Sequence, residues 1–169
     1  MVMFIAEDGT GLVDANSLCT LEFANEYFTL RGNATWVDLF TDAKKIALVK
    51  ATDYFEMRFA TKLKDLPLTE TQSLSFPRDG DVAMPPNMLK AICEYAVIAA
   101  KAELANNIDT ELQINTRTER TVGSIKTVDV IERPYNQPET RKQFSQYIMA
   151  DNLAKTLLSN TTGSGRVIR

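Results

Sequence analysis

Residues 51–59 read "ATDYFEMRF", and the fold turns on where that bulk goes. Leu48, Ala51, Phe55 and Phe59 recur three and four residues apart, which is the period of one helix face. Val49, Tyr54 and Met57 fall outside that stripe. A helix so broadly apolar touches more than one neighbour. The extra neighbours are other helices of its own chain or another subunit. Thr41, with Asp42 just inside, predicts the start of this helix by side-chain capping and by the helix dipole. The helix is expected over residues 41–61.

Working back from it, "ATWVDLF" predicts a short helical turn whose Trp36 plugs the core. Thr20 caps an earlier helix, expected over residues 20–31, with Glu22 in its first turn and Gly32 as its stop. Phe23, Tyr27 and Leu30 set its apolar face. Residues 1–18 carry the turn formers "EDGTG" and "DANS" and are expected to be an extended, flexible arm with at most one short strand.

Working forward, residues 63–86 form a long irregular connection, with Leu74 and Phe76 expected to pin it to the body. Pro85 and Pro86 break the chain ahead of a helix expected over residues 87–106. Its centre, "YAVIAA", is apolar almost all round, which predicts the central buried helix. Asn106 and Asn107 mark its expected end. Residues 111–132 are rich in Val, Ile and Thr and predict two strands about a turn at Gly123, as a hairpin or extended flap. A last helix is expected over residues 138–158, opened by Pro138, with Phe144, Tyr147, Ala150, Ala154 and Leu157 on one stripe. The end, residues 161–169, has two glycines and no acid and is expected to be a flexible tail. The fold class is therefore mainly α. Three or four helices form a bundle with a β-hairpin-like flap and flexible terminal arms. One domain over residues 1–160 is followed by the tail.

The composition removes several kinds of chemistry. There is no histidine, so the commonest general base and zinc ligand are missing. Two cysteines, Cys19 and Cys93, lack CxxC spacing. They are read as reduced core thiols, with a Cys19–Cys93 disulfide as the alternative. No phosphate-binding glycine loop is present. Asp79 and Asp81 are read as a solvated loop rather than a metal site. No catalytic residue, metal or cofactor is expected. No apolar run approaches the ~18 residues of a membrane span, and acid at Glu7 argues against a signal peptide. The net charge of −3 argues against a strong grip on nucleic-acid phosphates. "FPR", residues 76–78, is the one stretch that resembles a base-stacking platform. Arg117, Arg120 and Lys126 place positive charge in the expected flap, interrupted by Glu119.

The order of these features resembles the head–tail connectors of tailed bacteriophages, relatives of which carry the label DnaT-like ssDNA-binding protein. The resemblance is carried in order by Ala15–Asn16–Ser17, Ala24 to Phe28, Trp36, Ala47 to Tyr54, Phe76–Pro77–Arg78 and Pro86 to Ala96. "RTERTVGSIKTVDV" and the Gly/Arg-rich end are similar as well. Two departures, Leu18 where an aromatic is usual and Phe76 where tryptophan is usual, are conservative. The resemblance implies a non-catalytic adaptor, made in the host cytoplasm and sited at the virion neck. It implies a homo-oligomeric ring of about twelve subunits closed by a head-to-tail interface. The ring would sit below the portal protein, receive a tail or nozzle protein, and let double-stranded DNA pass without specific binding. On that reading Tyr54 and Met57 contribute to the subunit interface. Arg117, Arg120 and Lys126 belong to a flap that lines the channel or packs between subunits. Arg166, Val167, Ile168 and Arg169 dock on the portal, the arginines through bidentate bonds to carboxylates. The competing reading is a single-stranded-DNA-binding protein of replication type.

Overall fold

The computed structural model describes residues 3–81, 83–105, 116–122, 125–131 and 147–159; residues 116–122 and 125–131 are described by backbone alone. The chain is mainly helical and divides into two units, Met1–Ala105 with Phe144–Arg169, and Asn106–Gln143.

In the first unit, α1 (Leu21–Thr29) begins where Thr20 accepts from the Phe23 N–H, the cap anticipated for it. It ends earlier than expected. Arg31 and Asn33 N–H groups bond back to the Phe28 carbonyl, and Gly32 takes a φ of +60°, closed to most side chains. Leu30 keeps helical dihedrals and bonds to the Glu26 carbonyl, yet it is 77% exposed and not on the buried face expected of it. Ala24 and Phe28 complete the buried face with Tyr27. The short α2 (Ala34–Val37) buries Trp36, as expected of a core plug. Its ring centre lies 4.9 Å from that of Phe28, and its indole N–H donates to Asn25 Oδ1 at 3.0 Å. A buried indole needs such an acceptor.

The helix that holds residues 51–59 is α3 (Thr41–Phe59), which runs on into a tighter 3-10 turn over Ala60–Lys62. Thr41 is its first helical residue and not its cap. Phe40, extended at ψ 152°, holds the cap position without a side-chain bond. Trp36, Ala47 and Leu48, on either side of this start in sequence, belong to the core, and Leu39 packs against it. The stripe Leu48, Ala51, Phe55 and Phe59 is buried as anticipated. Tyr54 and Thr52 are buried too, because α3 meets α4, α1 and the following connection at once.

Pro86 opens α4 (Pro86–Ala99) at its first position, where its missing N–H costs nothing. Ala91, Ile92, Cys93, Tyr95 and Ala96 are wholly buried, which makes this the central helix, packed on α3 and on α5 (Ile148–Lys155). Complete burial of Phe28, Leu48, Phe55 and Ile92 contributes about 1.5–3 kcal/mol each. The helix stops at Ala99, well short of Asn106, although Lys101 to Glu103 are good helix formers. The cause is tertiary. Leu104 turns back into the core, and its carbonyl accepts from Tyr147 Oη at 3.0 Å. On α5, Ala150 and Ala154 are buried as expected, and Asp151 is buried beside them. The expected helical residues 138–146, with Pro138 and Phe144, lie outside the described residues, as does the tail 161–169.

The N-terminal segment does not behave as a free arm. Its Ala6 bridges Ser17 in parallel, and buried Glu7 accepts from the Gly9, Gly11 and Leu12 N–H groups at 2.9–3.0 Å. The Leu18 N–H donates to Thr52 Oγ1 on α3 at 3.1 Å. Cys19 and Cys93 are free, buried thiols with sulfurs 3.8 Å apart. The connection between α3 and α4 is pinned by buried Phe76 and part-buried Leu74, as anticipated.

In the second unit, β1 (Thr116–Val122) and β2 (Ile125–Ile131) pair antiparallel, Thr116 opposite Ile131 and Val122 opposite Ile125. The expected turn residue Gly123 lies outside the described residues.

Candidate functional site

Within residues 51–59, neighbouring side chains do opposite things. Tyr54 and Arg58 point inward to α5. Arg58 donates to both carboxylate oxygens of Asp151, at 2.7 and 2.8 Å, and to Tyr54 Oη at 2.9 Å. Tyr95 Oη donates to Asp151 Oδ1 at 2.6 Å, and the Tyr147 N–H to Oδ2 at 3.2 Å. The rings of Tyr54, Tyr95 and Tyr147 meet edge-on, with centres 5.1–6.0 Å apart. Burial, followed by the bond to Asp151, pushes the Tyr95 hydroxyl well above the usual phenol range. Burial works against the Arg58 charge, but the Asp151 bonds and the hydroxyls around it raise its pKa overall. Every strong donor and acceptor in this cluster is spent on another. It is a clasp between α3, α4 and α5, not a poised acid–base pair.

Asp53 and Met57 face the other way. With Lys50 and Tyr54 they line a groove of about 240 Å³, closed on its far side by Ala99, Glu103 and Leu104. Small-molecule sites run from about 300 Å³ upward. This groove falls below that range and is sized for a side chain or two. Its floor is mainly apolar, and Asp53 and Glu103 put carboxyls on its walls. Partial burial pushes the Asp53 carboxyl above the usual carboxylate range.

Other large apolar side chains stand in the open. Phe40 is 87% exposed at the start of α3, and Val37 and Leu30 are exposed as well. On α5, Ile148 and Met149 are exposed. Sequence reasoning missed Phe40, Asp53 and Glu103. The one signal available was an aromatic in "DLF" that fits neither helical stripe beside it.

Of the residues singled out from sequence, Tyr54 is buried in its own chain and Met57 is 57% exposed in the groove wall. Arg117 stands opposite Val130, Arg120 opposite Thr127, and Lys126 opposite Thr121, so the three bases occupy three rungs. Arg166, Val167, Ile168 and Arg169 lie outside the described residues. "FPR" is not a stacking platform. Phe76 is 3% exposed against Phe55, and Arg78 donates to the Asp65 and Ala60 carbonyls at 3.2 Å. Asp81 accepts from the Arg78 N–H at 3.0 Å. Among the described residues no cluster of three acids or cysteines is placed to hold a metal ion. No helix there is long and apolar enough to cross a membrane.

Compared with known proteins, the chain matches one family model over residues 2–169, described as "Putative DnaT-like ssDNA binding protein". No curated protein and no solved structure matches it.

Proposed function

The chain belongs to this DnaT-like family, and from that premise we propose that it is a structural head–tail adaptor of a tailed phage. The observation that carries this reading is the contrast within α3. Its polar side chains facing α5 are consumed in a closed clasp, while large apolar side chains at both ends of the helix are left facing solvent. That pattern suits a protein that assembles with others rather than one that turns over a substrate. The ring would hold about twelve copies at the virion neck, with a heterologous interface that closes. It would join the portal protein to a tail or nozzle protein and extend the channel for double-stranded DNA. In this reading β1 and β2 form the flap, with Arg117, Arg120 and Lys126 lining the channel or packed between subunits. Residues Arg166 to Arg169 dock on the portal. The adaptor needs no cofactor.

Electron microscopy of purified virions tests the reading directly. A ring of this chain at the neck supports it, and intact necks without the chain sink it. Deleting residues 161–169 should leave the rest of the chain folded and abolish attachment to portal-bearing heads.

The family's own description favours a second reading, a single-stranded-DNA-binding protein of replication type. The net charge of −3 works against it, because phosphate contacts dominate such affinity. Fluorescence anisotropy with a labelled oligonucleotide separates the two. Submicromolar binding that persists at about 0.2 M salt would favour the second reading.

A further inference from the structure

The groove beside Met57 and the exposed ring of Phe40 are complementary, and they lie on one helix. Phe40 is the one aromatic among the exposed large hydrophobics of the described residues. The groove holds a side chain or two, has a mainly apolar floor, and carries Asp53 and Glu103 on its walls. Lys44 and Lys45 follow Phe40 early in α3; Lys44 Nζ donates to the Val37 carbonyl of its own chain at 3.4 Å, which leaves Lys45 as the cation that insertion of Phe40 brings towards those two acids. Phe40 and Met57 are seventeen positions apart on a continuous helix, roughly 25 Å at 1.5 Å per residue. The ring therefore cannot fill the groove of its own chain.

We propose that Phe40 of one copy seats in the Asp53–Met57–Glu103–Leu104 groove of the next. The contact joins two different surfaces, so a pair of copies keeps one free Phe40 at one end and one free groove at the other. It is a head-to-tail interface, which closes into rings or runs on into filaments according to the rotation per copy. The inference rests on the assembly reading above and names the surfaces that perform it.

Sedimentation velocity of the full chain across the micromolar range tests this. The native chain should associate with rising concentration. Phe40→Ser and Met57→Lys should each weaken association about tenfold or more, the loss expected when a buried aromatic anchor is removed. Far-UV circular dichroism should stay unchanged, because both side chains are exposed. An equimolar mixture of the two variants should form a heterodimer, since Met57→Lys donates an intact Phe40 and Phe40→Ser an intact groove. Asp53→Asn with Glu103→Gln leaves the apolar floor alone and should weaken association at low salt but not at high salt. Undiminished association of either single variant overturns the proposal, and so does a mixture that stays monomeric. A native chain that is monomeric throughout also overturns it, while the adaptor reading is still decided by the ring at the virion neck.

Discussion

Asp53 and Met57 sit one residue before Tyr54 and Arg58, yet the two pairs live in different environments. Tyr54 and Arg58 close a clasp with Asp151 and Tyr95, in which a carboxylate and a guanidinium are largely removed from water and bonded to each other. Asp53 and Met57 border a groove open to solvent, which buried Tyr54 also lines. The comparison teaches that the bulk of residues 51–59 is divided by direction and not by residue type. Changes on the inward side act on stability. Changes on the outward side act on what the chain touches.

The sharpest way to break that division is Asp151→Ala. It removes the carboxylate to which both Arg58 and Tyr95 donate. Breaking a buried pair by removing one partner costs about 3–5 kcal/mol, so the urea midpoint should fall steeply. A loss below about 1 kcal/mol would mean the clasp is solvated like a surface pair. Tyr95→Phe removes one hydrogen bond to a charged acceptor and should cost about 1.5–3 kcal/mol. Thr52→Val keeps the shape of a side chain wholly buried on α3 but leaves the Leu18 N–H without its acceptor. About 1–3 kcal/mol should follow from that unpaired donor, with faster amide exchange in the N-terminal segment if Thr52 is what ties it down.

Glu56 tests the comparison through pH. Its carboxylate accepts from the Ser75 N–H at 3.0 Å and Oγ at 2.6 Å, holding the connection between α3 and α4. Burial raises its pKa, and the Ser75 bonds and Arg78 only partly offset that. A carboxyl raised on folding adds stability that is full below its unfolded pKa of about 4.3 and lost as pH rises through the folded value. The melting temperature of the native chain minus that of Glu56→Gln should therefore fall as pH rises from about 4 to 7. A flat difference would mean that Glu56 titrates alike folded and unfolded. The smallest stability effect belongs to Met57→Ala on the outward side. Its cost should stay within about 0.5 kcal/mol, as at other surface positions. A larger loss would make the groove wall part of the core.

Much of the helical layout was legible because it depends on near neighbours. Thr20 caps α1 three residues ahead of Phe23, Pro86 sits where a proline does no harm, and "YAVIAA" has no polar face to turn outward. The stripe through Leu48, Ala51, Phe55 and Phe59 needed only the period of the helix. The groove was not legible, because Asp53 and Met57 on α3 meet Glu103 and Leu104 only after the chain reverses behind α4. Helix ends also misled where packing overrode propensity. Thr41 is a good cap that the chain does not use, and α4 stops at Ala99 because Leu104 is drawn inward.

By itself the sequence determined where the helices α1, α3 and α4 lie, though not all their ends, that Trp36 and the centre of α4 are core, and that chemistry based on histidine is closed to this chain. These follow from composition and from contacts within a few residues. Only the tertiary structure decided that Tyr54 turns inward while Met57 turns outward. Arg58 and Asp151 are 93 positions apart, and a buried charge can choose its direction only when its partner has been brought beside it.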